Sequence, residues 1–448
     1  MSLDGGLYGS FNHPAVRAQQ RIGNNNVLAV FLDGVQVGAL VKSATEITFT
    51  YNQTAKTKGL WISHSMKDLD ATYSGKLDEL PPFFSNQLPE GKRRDALASS
   101  LGISVSDEFE LFRVMGAEVI GNTRIIPRRN HIDLISQVDV ESNALGSLTF
   151  AEMLDMASDV NSPGFDDQSV PGFQSKVSRI VEMVKKSQSG HSFQAKILPL
   201  VIFKLNEASY KKIVENESFF MGFAQRAGLR TSQQMLISDP TGESCLLVER
   251  FDRRNVDGEM KRIYVEDGCQ LLGRSPDEKY SGSYERLCRA VMDAVDDPRR
   301  CAEELFRAYI YSFGIGNGDL HAKNLSIWKN PDTDEIEIAP HYDILSTYVY
   351  NDKRMALSVE GNVENISTKK FLAFAERLGI SPERVAQITS EVSGAIKEAV
   401  LDVDRIGFDI HNKSQLVKML NSRVKLLDEL GVKAVNIVDS QGVSFGDR

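Results

Sequence analysis

At 448 residues, with 42% hydrophobic and 25% charged residues, the chain has the make-up of a globular protein of two or three domains. A formal net charge of −9 argues against an intrinsic nucleic-acid binder and suits a basic partner, or a phosphorylated ligand with its metal. No apolar run is long enough to span a bilayer, and "MSLDGGLYGS" has neither a basic n-region nor an apolar h-region, so a cytoplasmic protein with no membrane association is expected. Cys245, Cys269, Cys288 and Cys301 lack CxxC pairing and read as buried, reduced thiols rather than zinc ligands.

In chain order, residues 1–26 are Gly- and Asn-rich and read as a flexible leader. Apolar residues then alternate around Asp33-Gly34 in "VLAVFLDGVQVGAL", which predicts a β-hairpin. "EITFTYN" reads as a third strand, and a helix is expected after Pro89. This N-terminal α+β unit runs to about residue 130. Residues 131–190 are less defined, with a helix expected in "TFAEMLDMA" and a surface loop in "NSPGFDDQSVPGF". A second unit begins near "SGHSFQAKILPLVIFKLNE", a loop followed by a strand with Lys204 near its end. "YKKIVENESFFMGFAQRAGL" has helical period, with Gly228 as its C-terminal stop. "SCLLVERFDRR" reads as a buried strand running into a charged linker. The last third is mainly helical. Ser381 and Pro382 signal a helix start, and Val385, Ile388, Val392, Ile396 and Ala399 form one apolar stripe.

The densest chemistry lies in "GDLHAKN", residues 318–324. Phosphoryl transfer from ATP needs a carboxylate to orient the attacking hydroxyl and a side-chain oxygen on the metal nearby. Asp319 and Asn324 stand five residues apart, the Asp-to-Asn spacing of a kinase catalytic loop. A second metal carboxylate should follow a short hairpin. "LSIWKNPDTDEIEIAPHYDIL" supplies a strand, a turn at Asn330-Pro331-Asp332, a strand, and then Asp343. Upstream, Lys204 is placed to contact the phosphates, and Glu217, with Glu215 as its rival, to hold that lysine. Glu249 and Phe251 fall where an adenine-reading hinge belongs. Each residue alone has an ordinary structural reading. A strand lysine is usually a snorkelling residue, and His321 and His341 are usually hydrogen-bonded structural histidines. The order of the elements along the chain is what points to a kinase-like phosphotransferase.

"GDLHAKNLSIW" followed by "APHYDILST" resembles the signature of the HipA-type serine/threonine protein kinases, the toxins of bacterial HipA–HipB toxin–antitoxin pairs. "VERFDRR", "VEDGCQLLG" with "SPDEKY", and "NESFFMGFAQRAGL" match that family in the same order. "FLDGVQVGAL", "FFSNQLPEG", "LGIS" and "MGAEVIG" resemble its N-terminal subdomain, so the likeness covers roughly residues 27–430. The resemblance implies an α+β, protein-kinase-like bilobal fold with a mainly helical C-terminal lobe. Its parts would be a leader at 1–26, an N-terminal subdomain at 27–130, an N-lobe-like region with phosphate loop and hinge at 131–250, and the C-lobe at 251–448.

It further implies ATP and Mg²⁺ as cofactors and Asp319 as catalytic base, with Asn324 and Asp343 as metal ligands and a Lys204–Glu217 ion pair. Glu249, Arg250 and Phe251 would line the adenine site. His321, Ala322, Lys323 and Tyr342 would lie about the nucleotide. The family's phosphate loop, S-x-x-G-x-Q-x-K, aligns with Ser189-Gly190-His191-Ser192-Phe193-Gln194-Ala195-Lys196, with Ser192 where the family has glycine. Residues His191 to Lys196 would then touch ATP. Ser189 would be the inhibitory autophosphorylation site, with Ser187 and Ser192 as rivals.

The implied partners are a HipB-like, DNA-binding antitoxin, with DNA reached only through it, and a protein substrate, for which an aminoacyl-tRNA synthetase is the guess. Growth arrest would follow. "GDLHAKN" also resembles the loop of aminoglycoside and choline kinases, which keeps a small-molecule phosphotransferase in view. The Ser192 departure motivates a third reading, a non-catalytic pseudokinase scaffold in a repressor complex.

Overall fold

The computed structural model describes residues 26–75, 78–127, 149–150, 176–177, 180–183, 195–198, 201–257 and 259–442. The expected leader, the "NSPGFDDQSVPGF" loop and nearly all of "TFAEMLDMA" lie outside them. The chain divides into two compact units, Met1–Trp61 with Asp68–Leu198, and Ile62–Lys67 with Pro199–Arg448.

In the first unit, β1 (Val27–Leu32) and β2 (Val35–Lys42) pair as an antiparallel hairpin with Leu32 opposite Val35. Asp33 and Gly34 both have positive φ, 46° and 79°, which the right-handed twist of a two-residue hairpin demands. With β3 (Ile47–Tyr51), β4 (Thr72–Gly75) and β5 (Thr123–Pro127) they form a sheet ordered β4-β3-β2-β1-β5. Its buried face carries Leu28, Val30, Leu40 and Phe49. Phe84, from the short α1 (Pro82–Ser85), packs on Phe49 at 5.2 Å and on Phe112 at 6.0 Å. The helix expected after Pro89 is α2 (Gly91–Leu101), stopped by Gly102 at φ 64°. In α3 (Glu108–Met115), the buried Glu108 carboxylate accepts from Leu80 N, Ser85 Oγ and the Arg94 guanidinium. Beyond the sheet, β6 (Ile180–Met183) pairs antiparallel with β7 (Ala195–Leu198), Met183 facing Ala195.

In the second unit, β8 (Val201–Leu205) pairs with β10 (Ser244–Glu249), which pairs with β9 (Gln234–Ser238), all antiparallel. Between β8 and β9 runs α4 (Ile213–Arg226). It ends in a Schellman motif: Gly228, at φ 83°, donates to Gln225 O, and Leu229 N donates to Ala224 O. After β10 the charged linker is instead a built hairpin, β11 (Arg253–Val256) with β12 (Glu259–Arg262). Its lead-in charges are internal. Arg250, Asp252 and Arg253 are buried, and Arg250 forks onto Asp252 at 2.7 and 2.8 Å. Next, β13 (Val265–Asp267) pairs with β14 (Ser326–Lys329), and β14 with β15 (Ile336–Ile338). The helices that follow β13 are α5 (Gly268–Leu271), α6 (Tyr284–Met292) and α7 (Pro298–Ile315).

The C-terminal region is helical: α8 (Thr368–Arg377), α9 (Pro382–Asp402) and α10 (Ile410–Gly442). Ser381 accepts from Arg384 N as the cap of α9, and all five residues of its expected stripe are buried. Each is worth about 1.5–3 kcal/mol of apolar transfer where the side chain is large. A Cβ on Gly314 of α7 would meet Ile396 of α9, so that glycine lets the two helices close. The four cysteines are buried free thiols. No helix of the described residues is long and apolar enough to cross a membrane.

The segment Ile62–Lys67 packs with the second unit through Glu266 of β13. That carboxylate has no exposed surface. It accepts from His64 N at 3.0 Å, from Ser63 Oγ and from Tyr264 OH.

Candidate active site

The stretch 318–324 is a loop because α7 ends at Gly316, which takes φ 69° as the helix stop. Asn317 then forms an Asx turn, its Oδ1 accepting from Asp319 N at 2.9 Å. Gly318 donates to Thr347 Oγ1 at 2.7 Å, and a Cβ there would lie 2.5 Å from both Arg354 O and Asp352 Oδ2. Residues Ala322–Asn324 form a single 3₁₀ turn leading into β14. Asn324 folds back, its Nδ2 donating to Asp319 O at 2.8 Å and lying 3.5 Å from Asp319 Oδ2. Spending the amide nitrogen on Asp319 leaves the amide oxygen as the donor a hard cation takes.

The loop rests on α5. Gly268 N donates to Leu325 O, and a Cβ on Gly268 would meet Ala322 O at 2.5 Å. Asp267 caps α5 in a capping box with Gln270. Burial pushes the Asp267 carboxyl up to about 6, against the pull of the Lys323 ammonium.

Lys204 of β8 is 2% exposed, and its Nζ bonds the carboxylates of Glu217 (2.5 Å) and Asp343. Glu217, on α4, is 1% exposed. Burial alone would lower the Lys204 pKa, but the two carboxylates outweigh it and hold the ammonium well above its ordinary value. Glu215, two residues earlier and so on another face of α4, turns to Lys212 at 2.8 Å and Asn206 at 3.1 Å. Asp343 has φ 54°, a left-handed conformation costly for a non-glycine residue.

Tyr342 joins the two groups. Its hydroxyl donates to Lys323 O at 2.7 Å and meets Ser326 Oγ at 2.7 Å, and its ring lies 5.7 Å from Phe251 at 31°. Burial raises its phenol far above the ordinary value. Phe251 also meets Trp328 edge-on at 5.9 Å. Glu249 is exposed, while the Arg250 side chain is turned inward onto Asp252. Lys204, Glu217, Phe251, Lys323, Asn324, Asp319, Tyr342 and Asp343 therefore form one continuous cluster in the second unit. His321 is 5% exposed with Nε2 3.7 Å from Asp319 Oδ1, and Ala322 is fully buried. Ser189 and His191 to Gln194 lie outside the described residues, as do Ser187 and the loop they would form. Ala195 and Lys196 fall on β7.

Two contributors escaped the sequence reading. Asn216, fully buried on α4, exchanges two hydrogen bonds with the backbone of Ser346 (Nδ2 to O, 2.8 Å; N to Oδ1, 3.1 Å). It thereby ties the helix carrying Glu217 to the segment after Asp343. Tyr280 donates its hydroxyl to Asp319 Oδ1 at 2.7 Å. Neither has a spacing signal, because each acts across residues far apart in sequence.

The chain is similar to known proteins in sequence and fold. The HipA-like C-terminal domain family matches residues 168–400, and the HipA N-terminal domain family matches residues 28–126. The chain is 28% identical over 425 residues to a Sinorhizobium fredii protein named "Putative kinase Y4mE", covering 90% of this chain and 98% of that one. It is 26% identical over 443 residues to the serine/threonine-protein kinase toxin HipA of Shewanella oneidensis, covering 90% and 97%. A chain from the Shewanella oneidensis HipA, HipB and operator DNA complex has the same fold, with a TM-score of 0.68 at 24% identity, covering 90% of this chain and 99% of that one. With both halves matched in order, and the cluster around Lys204 and Asp319 inside the C-terminal match, the chain belongs to the HipA family.

Proposed function

We propose that the protein is a Mg·ATP-dependent serine/threonine protein kinase. The observation that carries this is the buried Lys204 ammonium held between Glu217 and Asp343 beside the Asp319–Asn324 loop. A cation so placed offers charge to the phosphates without freedom to wander. Asp319 is the base that orients the incoming hydroxyl and takes its proton. Asn324 and Asp343 bring an amide oxygen and a carboxylate, the hard oxygen donors that suit Mg²⁺, which supplies charge neutralisation on the phosphates when bound. Phe251 offers an aromatic face just past β10 for adenine, and Ser189 to Lys196 is the proposed phosphate loop, with Ser189 as its autophosphorylation site.

A cytoplasmic toxin that phosphorylates a protein target, with an aminoacyl-tRNA synthetase as first candidate, is the cellular reading. A HipB-like antitoxin is its proposed partner and its link to DNA. The name of the Shewanella relative and the HipB and DNA bound in the structure of like fold support this, as does the net charge of −9.

The test is transfer from [γ-³²P]ATP by the purified chain to lysate proteins, alongside a panel of sugars and aminoglycosides. Protein labelling that disappears in Asp319→Ala is expected, with phosphate on Ser189 by mass spectrometry. Labelling unchanged in Asp319→Ala removes the base assignment. Turnover of the small molecules alone makes the protein a small-molecule phosphotransferase.

A further inference from the structure

The stretch "SPDEKY", residues 275–280, carries part of the family resemblance yet has no part in the function proposed above. It ends on Tyr280, whose side chain is 51% exposed. A long exposed side chain ordinarily samples several rotamers, and holding one costs entropy. Here the position is built. Arg274 N donates to Cys269 O at 2.9 Å, and the Arg274 guanidinium bonds Ser281 O. Ser275 and Glu278 close a capping box over Pro276–Glu278. Gly282 turns the chain at φ 94°, where a Cβ would lie 3.0 Å from the Arg274 guanidinium. Most directly, Ala322 N donates to Lys279 O at 3.1 Å, so this turn is stitched to the loop that carries Asp319. The Tyr280 ring then meets the buried His321 edge-on, with centroids 5.0 Å apart at 81°.

From this geometry we infer that Tyr280 is a positioning residue for the reaction, fixing the Asp319 carboxylate in the orientation that receives the acceptor hydroxyl. Its phenol donates to Oδ1 at 2.7 Å, while Asn324 Nδ2 approaches Oδ2 at 3.5 Å. Two donors on opposite oxygens set the plane of the carboxylate. A carboxylate offers about four lone-pair sites, so room remains for the acceptor. The contact leaves Asp319 36% exposed, open to an incoming hydroxyl. The phenol gives its one proton to Asp319 and has none left to pass on, so it orients the base rather than relaying protons. The inference rests on Asp319 being the base proposed above.

The test has two arms on the full chain. In the first, 3-fluorotyrosine is placed at position 280 and its ¹⁹F resonance is compared with and without Asp319→Asn. A shift is expected, and an unmoved signal overturns the proposal by removing the contact. In the second, transfer from [γ-³²P]ATP to dephosphorylated casein is measured for Tyr280→Phe, which keeps the ring on His321. The expected result is a kcat lower by about tenfold with the KM for ATP and for casein each within about twofold. An unchanged kcat overturns the proposal. So does faster transfer with a lower casein KM, which would make Tyr280 a gate that the acceptor displaces. A chain whose ¹⁹F signal moves but which transfers no phosphate to casein or lysate protein refutes the kinase reading, and leaves Tyr280 a structural partner of Asp319 only.

Discussion

Replacing Lys204 with methionine separates what the buried cation does for the fold from what it does for the chemistry. The side chains are similar in volume, so packing is largely kept and the charge is lost. Lys204 is 2% exposed and Glu217 is 1% exposed, so Lys204→Met strands a carboxylate in the interior. Breaking a buried pair in this way costs about 3–5 kcal/mol. Asp343 keeps a 19% exposed side chain, which water can reach, and adds less. For a unit of about 250 residues, that loss lowers the melting temperature by roughly 6–20 °C. Adding Glu217→Gln removes the stranded charge, and calorimetry is expected to recover at least half of the drop. Phosphate transfer should stay about a hundredfold or more below wild type in both variants, because the cation on the phosphates is absent in each. Equal melting temperatures for wild type and Lys204→Met would refute the reasoning. So would a double variant that melts with the single one.

Asn216→Ala leaves the Ser346 N–H and C=O buried without their amide partner, which should destabilise the protein by ~2–4 kcal/mol in urea unfolding. Calorimetry with Mg·ATP should show weaker binding too, since Glu217 and Asp343 lose their common anchor. Asp267 carries a raised pKa of about 6 in the folded state. Its carboxyl is neutral in folded and unfolded chains at low pH, and the folded state must hold a buried carboxylate as pH rises through that value. Stability from this group is therefore full below about pH 4 and is lost through about pH 6. Asp267→Asn keeps the oxygen that caps α5. It should melt higher than wild type at about pH 7.5, by the equivalent of ~1–3 kcal/mol, and gain nothing at about pH 4.

Asp33-Gly34 was legible as a hairpin because apolar residues alternate on both sides of it. Asp257-Gly258 is the same dipeptide, and β11 and β12 flank it, but Arg254, Asn255, Glu259 and Lys261 give no apolar alternation. That pair is held by its ladder on a mostly exposed ribbon, so periodicity has nothing to report. The chemistry-bearing residues were legible where function imposes a spacing. Asp319 and Asn324 share one short loop, closed by Asn324 Nδ2 on Asp319 O, and Asp343 follows the β14–β15 hairpin. The choice between Glu215 and Glu217 needed the helix phase relative to β8, which a sequence window does not fix. The charges of "VERFDRR" read as a charged linker, since a charge is normally outside; Arg250 and Asp252 are inside because each neutralises the other. Tyr280 and Asn216 met their partners 39 and 130 residues away, beyond any local pattern.

Ile62–Lys67 belongs by contact to the second unit although it is encoded within the first. Glu266, with no surface of its own, draws on Ser63 and His64 from that segment as well as on Tyr264 for its hydrogen bonds. The two family domains are therefore not independent cassettes. A chain cut near Pro199 would express the whole Lys204–Asp319 cluster and still leave a solvent-excluded anion on β13 short of donors, one residue from the Asp267 cap beneath the 318–324 loop. Exchange of the N-terminal region between family members should succeed only where a donor pair equivalent to Ser63 and His64 travels with it, so that recombination between the two halves is constrained by six residues rather than by the boundary between them.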